Sequence, residues 1–378
     1  MKLGVSGALE RLKLADLPDP PAPQGTEVQV RVHGSSLNFH DYAVVRFDAP
    51  HTVDRIPLAD GAGVVEAVGA QVSEFAPGDE VVSTFFPQWL AGQPVNGDFS
   101  TTPGDGVDGY ACERVVRPAH WFTKAPRGWS AAESATLTTA GLTAWRALIG
   151  DGGLKAGDTV LILGTGGVAV FGLQLAKTCG ATVILTSSSD EKLMRGRALG
   201  ADHVLNYRAI PEWGAEVQKL TGGRGVDHVL ELGGPGTLPQ SIAACRIGGH
   251  ISLIGTLTGF AGQVPTATMM RKQIRLQGLI VGSRTQQQEM VSALNDSDIR
   301  PVIDRRFALA DLADAFRYEE SNRHFARSAW NSEARPRQSD TAHRGAIAAT
   351  GWPGLADYRP DCPPHRRCRK NSRRAVRR

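Results

Sequence analysis

Several features that would place this sequence in a membrane, secreted or fibrous class are missing. No run of about 18 consecutive apolar residues occurs, so the sequence predicts no membrane span. No basic segment followed by an apolar run comes after Met1, which predicts no secretory signal. The five cysteines are scattered and form no Cys-x-x-Cys pair, which argues against a disulfide framework and favours a reducing, cytoplasmic compartment.

Excess positive charge is confined to the carboxyl end. The whole chain has a net charge of +4, but residues 325–378 hold 13 Lys and Arg against 4 Asp and Glu, and residues 1–324 hold 29 against 34. A basic block can bind nucleic acid. Aromatic residues are not interleaved with these arginines as base stacking requires, so we expect no nucleic-acid partner and interpret residues 326–378 as a disordered basic tail.

The amino-terminal third is typical of a β-rich domain. Short segments of strand-forming residues are separated by turns that contain glycine and proline. These segments lie at 27–32, 63–68, 80–84 and 113–118. Residues 1–125 are therefore predicted to form a β-rich domain.

From residue 130 the pattern changes to strands that alternate with helices. Ser130 and Glu133 have capping-box spacing at the start of a helix predicted to reach about residue 149. Apolar strands are predicted at 159–163, 182–186, 203–205, 227–232, 250–254 and 274–281, and helices at 168–179, 190–199, 212–220 and 238–246. This alternation predicts an α/β domain with a doubly wound parallel sheet over residues 126–285.

The first strand of this region runs directly into a glycine-rich turn. Gly164, Gly166 and Ala169 fit the pattern G-x-G-x-x-A, and Gly167 and Val168 open the next helix. In such a turn the glycines let the backbone approach a pyrophosphate, and the free N–H groups of the helix bind it. These four loop residues, Gly164 and 166–168, are the predicted phosphate-binding residues; the alternative is a merely structural turn.

The second strand indicates which dinucleotide binds. An NAD site expects an acidic residue about 20 positions after the loop, at the end of this strand. Residues 184–188 contain none, and Ser187 and Ser188 are followed by Lys192. Hydroxyl groups and a cation suit a 2′-phosphate, so the sequence favours NADP(H), with NAD(H) still open. Lys192 could also be an ordinary exposed helix lysine.

Three segments of the chain resemble the medium-chain dehydrogenase/reductase family, and the resemblance covers roughly residues 1–324. The segments are ADGAGVVEAVG at 59–69, FAPGDEV at 75–81 and GDTVLILGTGGVAVFGLQLAK at 157–177, the last similar to quinone oxidoreductases. The resemblance implies a GroES-like catalytic domain at 1–125, a Rossmann domain at 126–285 and a return segment at 286–325. It implies that Lys192 and Tyr207 contact the 2′-phosphate, and that the protein is a homodimer joined through Rossmann edge strands.

The zinc branch of this family uses Cys and His ligands that this sequence lacks. The positions that resemble the three catalytic ligands hold Asn38, Ala59 and Thr139, and residues 85–111 contain no cysteine for a structural zinc site. None of these three is a good zinc donor. The sequence therefore predicts no metal; a rebuilt site from His40, Asp41 and Asp60 is the alternative.

Without a Lewis acid, the favoured small-molecule substrate is an enone or a quinone, because charge that develops there is delocalised. Asn38, His40 and Tyr42 are candidate hydrogen-bond or proton donors, although His40 could be a packing residue. Asp60 is a further catalytic candidate, or could bond backbone amides. The alternatives are an alcohol dehydrogenase and a nucleotide-binding protein without turnover.

The nicotinamide is expected near glycines that follow later strands. The candidates are Gly255, Gly282 and Ser283, for which simple turn geometry is the alternative.

The end of the family pattern is disturbed in this chain. The family returns to the catalytic domain through a strand that begins HFGK, whereas this chain reads Arg323-His324-Phe325-Ala326-Arg327 and then loses apolar periodicity. We interpret the sequence after about residue 325 as out-of-frame translation. This hypothesis predicts that the terminal strand of the catalytic domain is missing.

Overall fold

The computed structural model of the protein describes residues 1–5, 7–47, 50–95 and 97–334. Most of the predicted basic tail, from residue 335 onward, therefore lies outside the described residues. Among those that are described, no helix is both long and apolar enough to cross a bilayer.

The amino-terminal region contains two sheets and a short helix. The strands β1 (Lys2–Leu3) and β2 (Leu12–Lys13) form a two-stranded sheet of their own. The strands β3 (Glu27–Ser36), β4 (Ala62–Val68), β5 (Glu80–Ser83), β6 (Arg114–Pro118) and β7 (Phe122–Lys124) belong to a larger mixed sheet, and the helix is α1 (Phe39–Arg46). In β3, Val28, Val30 and Val32 are buried and the residues between them are less so. This period of two directs one face of the sheet into the core.

The second region is a six-stranded parallel sheet with helices between its strands. The strands are β8 (Thr159–Leu163), β9 (Thr182–Ser187), β10 (His203–Asn206), β11 (Val226–Glu231), β12 (Cys245–Leu253) and β13 (Arg275–Gly278). Their spatial order is β10-β9-β8-β11-β12-β13, so the chain reverses direction across the sheet between β8 and β11. This is the doubly wound order of dinucleotide-binding domains, and it confirms the predicted fold class.

Helices cover both faces of this sheet and lead out of it. They are α2 (Ala131–Ala135), α3 (Leu142–Trp145), α4 (Gly167–Thr178), α5 (Asp190–Ala198), α6 (Trp213–Leu220), α7 (Leu238–Ala244), α8 (Thr266–Arg271) and α9 (Arg284–Asn295). The predicted capping box at Ser130 is present. The predicted helix after it is broken by π-helical turns at Leu137–Gly141 and Arg146–Gly150.

The return segment closes the catalytic sheet, and here the prediction of a missing strand is wrong. After β14 (Ile303–Phe307) and α10 (Leu312–Glu320), the chain forms β15 (Arg327–Asn331), which runs parallel to β14 and antiparallel to β3. Ala329 and Trp330 are buried in it. Apolar periodicity failed to reveal β15 because Arg327 and Ser328 are also buried, as polar residues of an interior strand.

Candidate active site

The glycine turn has the geometry of an anion-binding site. Gly164 has a φ of 82°, in the left-handed region that favours glycine, and its N–H donates to the carbonyl of Thr186 (2.9 Å). A Cβ built on Gly164 or Gly166 would have no neighbour within 4 Å, so the space above the turn is open. Helix α4 begins at Gly167 and directs its first N–H groups toward this space, and Ala169 packs fully buried beneath it.

A basic side chain that the sequence analysis placed in the tail lies beside this helix end. The carbonyl of Thr165 accepts the N–H of Ala326 (2.8 Å), so the return segment crosses the glycine turn. The next residue, Arg327, lies so close that a Cβ on Gly167 would collide with its side chain. Nε of Arg327 is buried and has no hydrogen-bond partner among the described residues. A buried cation with a free N–H at a helix N-terminus suits an anionic ligand.

Asp60 holds Arg327 in place from the catalytic domain. Its Oδ2 lies 3.1 Å from Nη2 of Arg327 and accepts a hydrogen bond from Ser36 Oγ, which also bonds to Arg327. Its Oδ1 accepts from Thr139 Oγ1 (2.6 Å). Burial raises the pKa of Asp60 to about 6, although Arg327 opposes that rise. The described partners of Asp60 are side chains, so the expectation of backbone amide partners is wrong.

The residues at the zinc positions do not fit a zinc ion. Thr139 donates to Asp60, Asn38 is bonded to Asp41, and Ala59 has no ligating side chain. The guanidinium of Arg327 beside Asp60 would repel a divalent cation. Within the described ranges, no three His, Cys, Asp or Glu side chains converge on a metal-sized site, so the alternative set of His40, Asp41 and Asp60 is not brought together either.

The start of α1 uses most of its polar groups internally. Asn38 is the residue before the helix, and both its N–H and its side-chain amide donate to Oδ2 of Asp41 (3.0 Å each). The other oxygen of Asp41 accepts the N–H of Ala59 (2.9 Å). The hydroxyl of Tyr42 donates to Glu320 (2.9 Å), and burial raises the pKa of Tyr42 to about 12. Tyr42 is therefore engaged in structure, which weakens its candidacy as a donor.

His40 lies in an aromatic wall at this end of the cleft. Its ring centroid is 4.5 Å from that of Phe99 and 5.5 Å from that of Phe85. The side chain is only 14% exposed, and Nε2 lies 3.4 Å from Oδ2 of Asp105. That contact lacks hydrogen-bond geometry, so Nε2 is buried without a hydrogen-bond partner among the described residues. His40 and Asn38, which has a second side-chain amide N–H, therefore keep donor capacity, whereas Tyr42 does not.

A basic cavity adjoins the carboxyl end of β9. Its volume is about 390 Å³, and it is lined by Ser188, Ser189, Glu191, Lys192, Arg195, Arg305, Tyr318, Asn322 and Arg323. Four of these side chains are cationic and one is anionic. Lys192 is half-buried and donates to the carbonyl of Asn322, and burial lowers its pKa. It is therefore not an ordinary exposed helix lysine.

Three arginines of this cavity were not found from the sequence. Arg195 pairs with Asp304 (2.8 Å), whereas Arg305 and Arg323 stack on the ring of Tyr318 at 4.1 and 5.6 Å. The last two come from the return segment, more than 100 residues away in sequence from Lys192. No local motif marks them, because only the packing of β14 and α10 beside α5 brings them to the cavity.

The other predicted residues of the 2′-phosphate site lie close to the cavity. Ser187 is buried at the end of β9, and its Oγ accepts the N–H of Ser189 (3.3 Å). Tyr207 donates its N–H to the carbonyl of Ser187 (3.1 Å) and leaves its ring 42% exposed.

The residues expected near the nicotinamide have local structural roles. A Cβ on Gly255 would collide with the carbonyl of Leu232, and one on Gly282 would meet Gln286 and Leu142 at about 3 Å. Ser283 caps α9 by accepting the N–H of Gln286 (3.2 Å). Close packing in turns and the capping of α9 therefore explain these residues, and their position near the nicotinamide stays a prediction. Between them, Val281 has a φ of 47°, a strained conformation for a β-branched residue.

Comparison with known proteins agrees with this fold and site. The family profile for the alcohol dehydrogenase GroES-like domain matches residues 24–127, and the profile for zinc-binding dehydrogenase matches residues 167–296. The chain belongs to the medium-chain dehydrogenase/reductase family of oxidoreductases, which confirms the resemblance seen in the sequence. Membership in this family supports a nicotinamide cofactor.

Individual relatives match over nearly their whole length. The chain is 39% identical over 332 residues to the zinc-type alcohol dehydrogenase-like protein C1773.06c of Schizosaccharomyces pombe, covering 85% of this chain and 95% of the relative. Among solved structures, it is 42% identical to a candidate alcohol dehydrogenase from Sinorhizobium meliloti 1021, with a TM-score of 0.81 over 87% of this chain and 98% of that one. A structure of an NAD-dependent alcohol dehydrogenase is 34% identical, with a TM-score of 0.78 over the same shares.

Proposed function

We propose that this protein is an NADP(H)-dependent oxidoreductase that reduces an enone or a quinone without zinc. The observation that carries the proposal is the arrangement around the glycine turn. An open turn, a helix N-terminus and the buried guanidinium of Arg327 converge where a pyrophosphate would bind. The same arrangement at the end of β8 is the cofactor site of doubly wound sheets.

The preference for NADP(H) depends on the basic cavity. Lys192, Arg305 and Arg323 supply positive charge beside Ser188, at the place where an NAD site would hold a carboxylate. The carboxylate of Glu191, in the same cavity, opposes this preference. One of the similar solved structures is that of an NAD-dependent alcohol dehydrogenase, which also favours NAD(H). The excess of cations over anions nevertheless favours a phosphate at this position.

The aromatic wall favours a flat, conjugated substrate. His40, Phe85 and Phe99 face one another, and Phe86 stacks with Phe99 at an interplanar angle of 13°. Such rings pack well against a quinone or an enone, but offer little to a small aliphatic alcohol. The wall is built from the start of α1 and from residues 85–99.

In the proposed reaction, residues of the chain bind the cofactor, orient the substrate and protonate it. Arg327 and the first N–H groups of α4 hold the pyrophosphate, and Lys192 with its neighbours holds the 2′-phosphate. The bound nicotinamide supplies a hydride. Asn38 has a second amide N–H beyond the one given to Asp41 and stabilises negative charge on the substrate oxygen. His40 donates the proton. Asp60 acts through Arg327, whose position it fixes.

Alcohol oxidation is the second candidate, because the similar proteins carry alcohol dehydrogenase names. A binding protein without turnover is the third. For assembly we expect a homodimer, because β13 is the last strand of the parallel sheet and leaves an edge for a second copy.

The decisive experiment measures binding of NADPH and NADH to the full chain, then screens quinones, enones, aldehydes and alcohols with the preferred cofactor. We expect tighter NADPH binding and turnover of quinones or enones. Turnover confined to alcohols, or one equivalent of zinc in active protein, contradicts the proposal. Cofactor binding with no turnover on any class supports the third candidate.

A further inference from the structure

A carboxylate lies between two histidines beside the aromatic wall. Oδ2 of Asp105 is 3.4 Å from Nε2 of His40, and Oδ1 is 2.9 Å from Nε2 of His51. The side chains of His40 and Asp105 are 14% and 13% exposed, whereas that of His51 is 51% exposed. The three groups therefore connect the aromatic wall to solvent.

The loop that carries Asp105 is held rigidly beside α1. Gly104 has a φ of 85°, and its N–H donates to the carbonyl of Val107 (2.8 Å), which forms a tight turn. Close packing of Gly104 against Leu58 leaves no room for a side chain. The backbone conformation at Gly104 therefore sets the position of the Asp105 carboxylate.

Other charged groups around this trio have their own partners. Asp41 follows His40 directly but is bonded to Asn38 and Ala59. Arg55 lies 3.4 Å from Asp108 and donates to the carbonyl of His51 (3.4 Å). Burial of Asp105 would raise its pKa, but the two histidines outweigh this effect and hold it below the usual value. Asp105 is therefore charged at neutral pH and can stabilise an imidazolium.

We propose that Asp105 is a positioning residue that holds His40 as the proton donor, and that His51 limits its effect by competing for the same carboxylate. This inference rests on the proposed function for its role in turnover. Since Nε2 of His40 faces Asp105, the opposite ring nitrogen, Nδ1, carries the proton that is given away. The carboxylate of Asp105 fixes the orientation of the ring from its Nε2 side.

The proton and electron balance is simple. A bound nicotinamide would supply the hydride that forms the new C–H bond of the enone or quinone, while a π-electron pair moves to the substrate oxygen. His40 gives the proton that forms the O–H bond and becomes neutral. The ring is then recharged from solvent. The substrate is reduced by two electrons and the nicotinamide is oxidised by two.

The first test measures the ring environment of His40 directly by NMR of the histidine ring carbons in the full chain, so it does not depend on finding a substrate. Asp105→Asn is expected to change the ring-carbon signals of His40 at fixed pH, because it removes the carboxylate that lies 3.4 Å from Nε2. His51→Gln is expected to change them less, because it leaves that carboxylate in place. Unchanged His40 signals in Asp105→Asn overturn the proposal.

The second test uses the pH profile of kcat. If His40 is the donor, Asp105→Asn shifts the alkaline limb about one unit lower, so that kcat falls about tenfold above the limb and little below it. Asp98→Asn is the matched control, because Asp98 lies on the same segment but bonds to Ser100. Changed ring signals of His40 in Asp105→Asn, together with no active substrate, refute the proposed function alone. A normal profile in an active Asp105→Asn enzyme refutes the role of Asp105 alone.

Discussion

The two ends of the candidate cofactor cleft hold positive charge in different ways. At the glycine turn a single guanidinium, that of Arg327, is buried and fixed by Asp60 and Ser36. At the basic cavity, Arg305 and Arg323 are exposed and stack on Tyr318. Buried charges are little screened by salt and cost folding energy when unpaired, whereas exposed charges are screened and cost little. We therefore expect the first end to couple cofactor binding to stability and the second end to set cofactor selectivity.

The largest effect is expected from Arg327→Met, which removes the buried positive charge at the glycine turn. The change leaves Asp60 with only Ser36 and Thr139, so we expect the free energy of unfolding to fall by about 3 kcal/mol. Binding of both NADPH and NADH should weaken, because the pyrophosphate is common to them. Denaturant unfolding and fluorescence titration measure the two effects. Arg327→Lys keeps the charge and should recover part of each; wild-type stability in Arg327→Met would contradict the coupling.

The pH dependence of stability probes His324, which lies between the two ends. Burial, with the charges of Lys192 and Arg327, lowers the pKa of His324 to about 4 from an ordinary value of 6.5. The folded state thus binds this proton less readily than the unfolded chain. Its contribution to stability is complete above 6.5 and is lost as the pH falls toward 4.

Unfolding at about pH 7.5 and about pH 4.5 should therefore differ by up to about 3 kcal/mol from this group. In His324→Gln the difference should be smaller. It should not vanish, because burial lowers the pKa of His250, at the far side of the parallel sheet, to about 4 as well. Identical pH curves for the variant and the wild type would show that His324 does not contribute.

Selectivity at the exposed end is tested by Lys192→Ala. We expect NADPH binding to weaken about tenfold and NADH binding to change less than twofold, because only NADPH carries the 2′-phosphate. The loss should shrink at high salt. Lys219→Ala, which removes a lysine paired with Glu216 on α6, is the matched control. Equal loss of both cofactors would place the phosphate elsewhere.

The smallest expected effect concerns the residue before Arg327. Ala326 has a φ of 62°, a conformation that costs an L-residue about 1–2 kcal/mol but costs glycine little. Glycine loses about 0.5–1 kcal/mol more entropy on folding. Ala326→Gly should therefore stabilise the protein by about 0.5 kcal/mol, measured by thermal or denaturant unfolding, and a loss of stability would indicate that the strain is compensated by packing.

The Rossmann sheet shows how much the sequence reveals. All six strands were predicted, and β8 at its observed bounds, whereas β12 begins five residues before its predicted start at 250. The central strands β8, β9 and β11 are easiest to predict because they are largely apolar and buried. The short strand β14 and the helices α1 and α8 were missed. These elements are short or exposed, and α8 has no buried residue, so they show no apolar period.

The return segment shows what could not be predicted from the sequence. Residues 324–327 read HFAR, and the arginine stands where the family segment HFGK has its lysine. This match could have identified Arg327 as a site residue. Polar residues around it hid β15, and the out-of-frame hypothesis removed Arg327 from consideration. For Asp105 no local signal exists, because a turn at 104–107 brings it beside His40 from 65 residues away.

By itself the sequence determined the class of fold, the glycine turn and the absence of Cys and His at the three positions that resemble zinc ligands, because these depend on local period, on residue size and on residue type. Only the tertiary structure decided that Arg327 lies beside the glycine turn, that two distant arginines join Lys192 and that Asp105 faces His40. Those pairings are long-range contacts between a buried strand, a return helix and a loop, and their specificity comes from packing, which no short segment of the chain encodes.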